Sequence, residues 1–165
     1  LGQLQDKGNT VTLAHYLDLL DQAGMLAGLE KIDPAIHRQR ASSPRFQVYN
    51  QALMSAHEAL SREALQAQPE RWGRWVESAI GAHLLADTYG RTIDIGYWRD
   101  GKNEVDFVVQ KGTKLLALEI KSGPVRRRGG LDAYKKRYPE AKTLLVGDAG
   151  IPVPEFVERP IEHWM

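Results

Sequence analysis

The sequence predicts an α/β chain: a mixed sheet flanked by helices, with a smaller helical and hairpin-forming segment in front of it. Three observations carry this. Apolar, strand-forming stretches at 92–98, 104–110 and 114–121 are separated only by short turns, the pattern of a meander. A short helical stretch at 131–138 then leads to a further strand at 142–147, and a crossover of that kind sets two strands parallel. A long amphipathic stretch opening at Pro69 precedes the strands and supplies a helix to cover them. With 165 residues, 42% apolar and 26% charged, the chain has room for one domain, or one and a small appendage.

Taken in order, residues 1–6 and 11–22 read as two short helices joined by Lys7-Gly8-Asn9-Thr10, which is helix-turn-helix spacing. Val11, Leu13, Ala14, Leu17 and Leu20 recur near the helical period, and Gly24 supplies a C-cap. A strand over 25–32 and a returning one over 46–49 complete a winged-helix-like segment, residues 1–49. Their link, 33–44, has two prolines and a Ser pair and reads as a loop. The remainder, 50–165, is expected to be the principal domain. It opens with a polar helix over 51–66. The helix from Pro69 to about Tyr89 carries Pro in its first turn, where the missing N–H costs nothing. Its buried stripe is Trp72, Trp75, Val76, Ala79, Ile80 and Leu84, so the two tryptophans are expected in the core. Turns at Arg99-Asp100-Gly101-Lys102 and Lys111-Gly112 divide the three strands that follow.

Side chains alternate faces along a strand, so Glu119 and Lys121 point one way and Leu118 and Ile120 the other. In the preceding strand Glu104, Asp106 and Val108 share one face, and Val105, Phe107 and Val109 the other. The short turn between the strands can bring Asp106 beside Glu119. Two carboxylates and a lysine so placed suit phosphodiester hydrolysis. Carboxylate oxygens hold Mg²⁺ at about 2.0–2.1 Å and leave positions for water and a phosphate oxygen. Such an ion activates water and offsets charge on the phosphoryl oxygens. Lys121 adds a compact positive charge. The bland alternative is a solvated strand face with a cross-strand ion pair.

Asp106 followed by Glu119-Ile120-Lys121 on the next strand resembles the D…E-x-K signature of the PD-(D/E)XK nuclease superfamily. The stretch 73–85, then Gly96-Tyr97-Trp98-Arg99, the run 103–108 and Leu118-Glu119-Ile120-Lys121-Ser122-Gly123, resemble the domain of unknown function at the C-terminal end of many prokaryotic AAA-type ATPases. In that family a winged-helix segment precedes the nuclease-like domain, which is where residues 1–49 stand. The resemblance implies a restriction-endonuclease-like fold and hydrolysis of DNA with Mg²⁺ or Mn²⁺. It also implies a third ligand, Glu77, from the helix before the first strand, beside Asp106 and Glu119, with Lys121 as electrostatic catalyst. Gly73 and Gly81 lie one turn either side of Glu77 and clear space for close approach to the strands. Val105 stands where many members have Pro, and Glu104 offers a competing carboxylate. The alternative within the same resemblance is an inactive nuclease-fold module that binds nucleic acid or protein.

Other features bound the partners. Net charge is +1, so DNA would be held by local clusters: Arg126, Arg127 and Arg128, with Lys135, Lys136 and Arg137 nearby, are the candidates against a reading as solvated loop and helix face. The helix over 11–22 is poor in cations, which favours a protein partner for the N-terminal segment. The absence of cysteine excludes disulfides, thiolate metal sites and a Cys nucleophile, and with no membrane-length apolar run a cytoplasmic location is expected. The five histidines lack metal-ligand spacing, and no phosphate-binding loop is present, so no zinc and no ATP site are expected on this chain. The opening Leu1-Gly2-Gln3-Leu4, without an initiator Met, reads as a piece of a longer polypeptide.

Overall fold

The structure is a computed structural model that describes residues 10–33, 42–123 and 129–165. Its first part holds helix α1 (Thr10–Gln22), strands β1 (Leu26–Lys31) and β2 (Arg45–Val48), and short helices α2 (Gln51–Ser55) and α3 (Arg62–Gln66). Helix α4 (Pro69–Thr88) leads into β3 (Asp94–Asp100), β4 (Asn103–Lys111) and β5 (Lys114–Lys121). Then come α5 (Gly129–Arg137), β6 (Lys142–Gly147), α6 (Val153–Val157) and α7 (Ile161–Trp164).

The strands form one mixed sheet in the order β2-β1-β3-β4-β5-β6. β3, β4 and β5 are the expected antiparallel meander, and β6 returns parallel to β5 after the α5 crossover. The β4–β5 turn is tight because Gly112 takes φ 58° between the paired Lys111 and Lys114, a conformation glycine adopts without a Cβ penalty. At the far edge β1 joins β3 in parallel through Glu30↔Gly96 and Lys31↔Tyr97, and β2 pairs antiparallel with β1. The hairpin of the N-terminal segment therefore extends the same sheet. The helix expected over 1–6 lies outside the described residues.

Each face of the sheet buries its own core. On one, Ile80 and Leu84 of α4 meet Phe107, Val109, Leu116, Leu118 and Ile120, with Phe156 and Ile161 of α6 and α7 closing the layer. On the other, Leu131 and Tyr134 of α5 pack on Trp98, Val105, Val108 and Ala117. Simple alternation expected Val105 with Phe107 and Val109, yet Val105 sides with Val108. The cause is a β-bulge: Gly96 pairs Val108 but Trp98 pairs Val105, so β4 carries an extra residue opposite Tyr97. Asp106 sits in that irregularity.

Other expectations change for local reasons. The helix expected over 51–66 is two pieces, because Asn50 and Ser61 each cap a separate start, accepting from the backbone N–H groups of Ala52 and Ala64 at 2.9 and 3.2 Å. Trp72 and Trp75 are half-buried and line a groove with Leu60 and Leu65, outside both sheet cores, and Ala79 is exposed. On α1 only Leu17 of the apolar set is partly buried, over Gly28; Val11, Leu13, Ala14 and Leu20 are exposed. Gly81 does what the sequence suggested: a Cβ there would run into the Gln47 side chain, whose amide donates to the Ser78 carbonyl at 2.9 Å and holds β2 on α4. Among the described residues no helix is long and apolar enough to cross a membrane.

Candidate functional site

The β4–β5 ladder ends at Phe107↔Leu118. Beyond that pair the bulge turns Asp106 so that its carboxylate stands in for the missing backbone acceptor, and its Oδ2 accepts from the Ile120 N–H at 2.8 Å. Asp106 is thereby fixed beside the strand that carries Glu119 and Lys121. Alternation keeps Glu119 on the face of Ala117, opposite Leu118 and Ile120. It is 6% exposed; its Oε1 meets the Lys121 ammonium at 3.0 Å, and its Oε2 is buried with no hydrogen-bond partner among the described residues.

Glu77 projects from α4, which covers the other face, and it feels the charges of Asp106 and Lys121. Among the described residues no three His, Asp or Glu side chains converge as a ready metal cluster. Glu77 instead pairs with Arg45 of β2, which also approaches Glu104 at 3.5 Å and donates to the Asp106 carbonyl at 3.2 Å. Glu104, the competing carboxylate, is further held by Arg99 at 2.7 Å. Arg45 is the member of the site that the sequence did not reveal. A lone arginine beginning a short strand gives no sign of which acid it meets, since only the parallel docking of β1 on β3 carries β2 to α4.

The electrostatics follow from burial and crowding. Burial pushes the Asp106 carboxyl above the ordinary range; the Ile120 N–H, Lys121 and Arg45 oppose this, and Glu119 adds to it. Glu77 is also raised, first by burial and then by Asp106, with Arg45 opposing. Burial alone would lower Lys121, but the hydrogen bond and charge of Glu119, with Asp106 and Glu77, outweigh it and hold the ammonium firmly charged. A carboxylate raised in the fold adds stability below its ordinary range, and that contribution is lost as pH rises through the folded value. At neutral pH the Asp106 charge therefore opposes folding. Asp106→Asn keeps an acceptor for Ile120 and should raise Tm at pH 7. The gain should vanish below about pH 4. Thermal melts of both proteins across that range check it.

An open groove of about 740 Å³ reaches the site between the start of α4 and the end of β5, lined by Gly73, Arg74 and Glu77 on one side and Lys121, Ser122 and Gly123 on the other. Asp106 and Glu119 do not line it; Glu77 and Lys121 connect them to it. Gly73 lies against Ser122, as its place one turn before Glu77 suggested. Arg126, Arg127 and Arg128 lie outside the described residues. Of the nearby basic residues, Lys135 caps the Ala141 carbonyl at 2.7 Å and Arg137 pairs with Asp33 and Asp100 at 3.6 Å each. Those two serve the fold at the C-terminal end of α5, where cations are favoured.

Comparison with known proteins adds a family. The family described as "Domain of unknown function (DUF4143)" matches residues 72–154, a stretch that holds Glu77, Asp106, Glu119 and Lys121 but not Arg45. Among solved structures, protein VC1899 from Vibrio cholerae is similar with a TM-score of 0.34 at 16% identity, over 89% of this chain and 36% of that one. This chain thus spans about a third of that chain's length, 36%. No curated protein matches it.

Proposed function

The chain belongs to the DUF4143 family, whose description assigns no activity, and from the geometry of its site we propose that it hydrolyses phosphodiester bonds in DNA with Mg²⁺ or Mn²⁺, as a PD-(D/E)XK-type domain. The observation that carries this reading is Glu119. A buried carboxylate oxygen without a partner is costly, and such a group calls for an explanation. Asp106 lies beside it with Oδ2 already fixed by Ile120, and Lys121 stands on Oε1. Two carboxylates with water suit Mg²⁺, which is commonly held by one or two carboxylates together with substrate phosphate. On that count Asp106 and Glu119 fit the ion without Glu77. When bound, the ion would supply Lewis acidity and an activated water.

The chain's own residues do the rest. Asp106 and Glu119 hold the charge that selects a hard cation. The Lys121 ammonium, kept protonated by three carboxylates, offsets negative charge gathering on the phosphoryl oxygens as the bond to the leaving oxygen breaks. The groove past Gly73 and Ser122 gives a phosphodiester access to it. By the family resemblance we also read the chain as the C-terminal part of a larger AAA-type ATPase, with the N-terminal segment contacting protein and the 126–128 arginines contacting DNA.

The test is cleavage of plasmid, linear, branched and single-stranded DNA with Mn²⁺. Lys121→Ala should lower the rate by about 10²–10³ while Mn²⁺ binding by calorimetry is retained; cleavage persisting in Asp106→Ala would sink the assigned site. A second reading, a nuclease fold without catalysis, is favoured by one observation: Glu77 is taken up by Arg45. DNA binding without Mn²⁺ binding in the wild type would select it.

A further inference from the structure

We propose that Arg45 is a built-in counter-ion that competes with a divalent cation for Glu77, so that the β1–β2 hairpin sets the metal affinity of the site. The proposal rests on the metal-dependent reading above and adds a regulating element to it. Arg45 comes from outside the stretch that matches the family, yet its guanidinium reaches Glu77, Glu104 and the Asp106 carbonyl together. Its position is built from both sides. Leu29 of β1 pairs with Arg45, and Gln47, two residues on and facing the same way, is tied to Ser78 one residue after Glu77.

Charge explains why Arg45 and a metal ion would exclude one another. Glu77, Glu104, Asp106 and Glu119 bring four negative charges, and Arg45, Arg99 and Lys121 bring three positive ones, leaving one uncompensated. A divalent ion at Asp106 and Glu119 more than offsets that charge, with Glu77 still held by Arg45. For Glu77 to turn toward the ion, Arg45 must let go. Guanidinium stays protonated at any pH a protein survives, so a change of pH cannot release it. Displacement of the hairpin can; among the described residues β1 is joined to β3 through the pairs Glu30↔Gly96 and Lys31↔Tyr97, with the Ile32 N–H donating to the Tyr97 carbonyl at 2.8 Å and the Tyr97 hydroxyl to the Ser43 carbonyl at 3.0 Å. Glu77 is thus a reserve ligand, and its absence from a three-carboxylate cluster is the closed state of the clasp.

The experiment is calorimetric titration of Mn²⁺ into wild type, Arg45→Met, Arg45→Lys, Glu77→Gln and the Arg45→Met/Glu77→Gln double variant, each checked by circular dichroism. Arg45→Met keeps the aliphatic stem and should bind Mn²⁺ about tenfold more tightly, within the 10–100-fold range by which groups around the ligands tune affinity. Arg45→Lys should stay near wild type, and serves alone if Arg45→Met does not fold, in which case Lys at wild-type affinity supports the clasp and a loss of affinity overturns it. In the Glu77→Gln background the gain from Arg45→Met should disappear. Equal or weaker binding by Arg45→Met, or an undiminished gain without Glu77, overturns the proposal. If the wild type binds Mn²⁺ and cleaves while Arg45→Met gains nothing, only the clasp fails; if no folded variant binds Mn²⁺ or cleaves, the metal-dependent reading fails with it.

Discussion

Glu119→Gln should abolish Mn²⁺-dependent cleavage, with a loss of at least about 10²–10³ in rate, and leave the melting temperature unchanged or higher. The two halves of that expectation come from one atom. Glu119 Oε2 is buried and has no hydrogen-bond partner among the described residues, so it burdens the fold, and a neutral amide of the same shape removes a buried negative charge. The same charge is what the proposed metal site would offer a hard cation. Its removal also leaves the Lys121 ammonium with a neutral amide acceptor in place of the carboxylate it meets at 3.0 Å. A residue kept for stability alone would behave the other way, with a fall in Tm and cleavage changed only in proportion to the folded fraction. Paired melts and single-turnover cleavage rates distinguish the two.

Phe107→Ala should destabilise the chain by about 3–5 kcal/mol, as large-to-small changes at buried aromatics do, and lower Tm by roughly 6–20 °C. Phe107 is 1% exposed, lies in the α4-side core and forms the last β4–β5 pair with Leu118. It anchors the strand on the far side of the bulge from Val105, which belongs to the opposite core. Val105→Ala should therefore act independently, and the double variant should show near-additive losses in urea unfolding. Strong coupling between the two would place them on one face and remove the bulge that aims Asp106.

The sheet's centre was legible because its signals are local. The run 114–121 and the run 142–147 coincide with β5 and β6, since apolar stretches end at turn residues on both sides. Alternation alone paired Glu119 with Lys121 and set Leu118 and Ile120 against a helix. What a strand's own sequence cannot state is how many residues its neighbour spends on the same length, so the bulge at Asp106 and the split of Val105 from Phe107 were hidden. Arg45 was hidden for a related reason: its partners lie 32, 59 and 61 residues away, in elements whose proximity is a property of the whole sheet. On α1 the helical period was correctly read, but periodicity reports a helix and not what covers it. α6 and α7 are too short, and too interrupted by Pro152, Pro154 and Pro160, to show a period at all.

The glycines sharpen the comparison. Of the glycines flanking Glu77, Gly73 would set a Cβ in ordinary contact with Ser122 at the end of β5, whereas at Gly81 a Cβ would run into Gln47 of β2, the close approach expected. The second contact brings Arg45 to the acidic cluster. In the fold Glu119 is paired with Lys121, Asp106 is fixed by the Ile120 N–H, and Glu77 is paired with Arg45.

The most direct measurement of that account is a crystal structure with Mn²⁺ soaked in and its anomalous signal mapped. A peak in contact with Asp106 and with Glu119 Oε2, beside Lys121, is the result expected. A peak elsewhere on the chain, or none at millimolar Mn²⁺ with both carboxylates ordered, would contradict it.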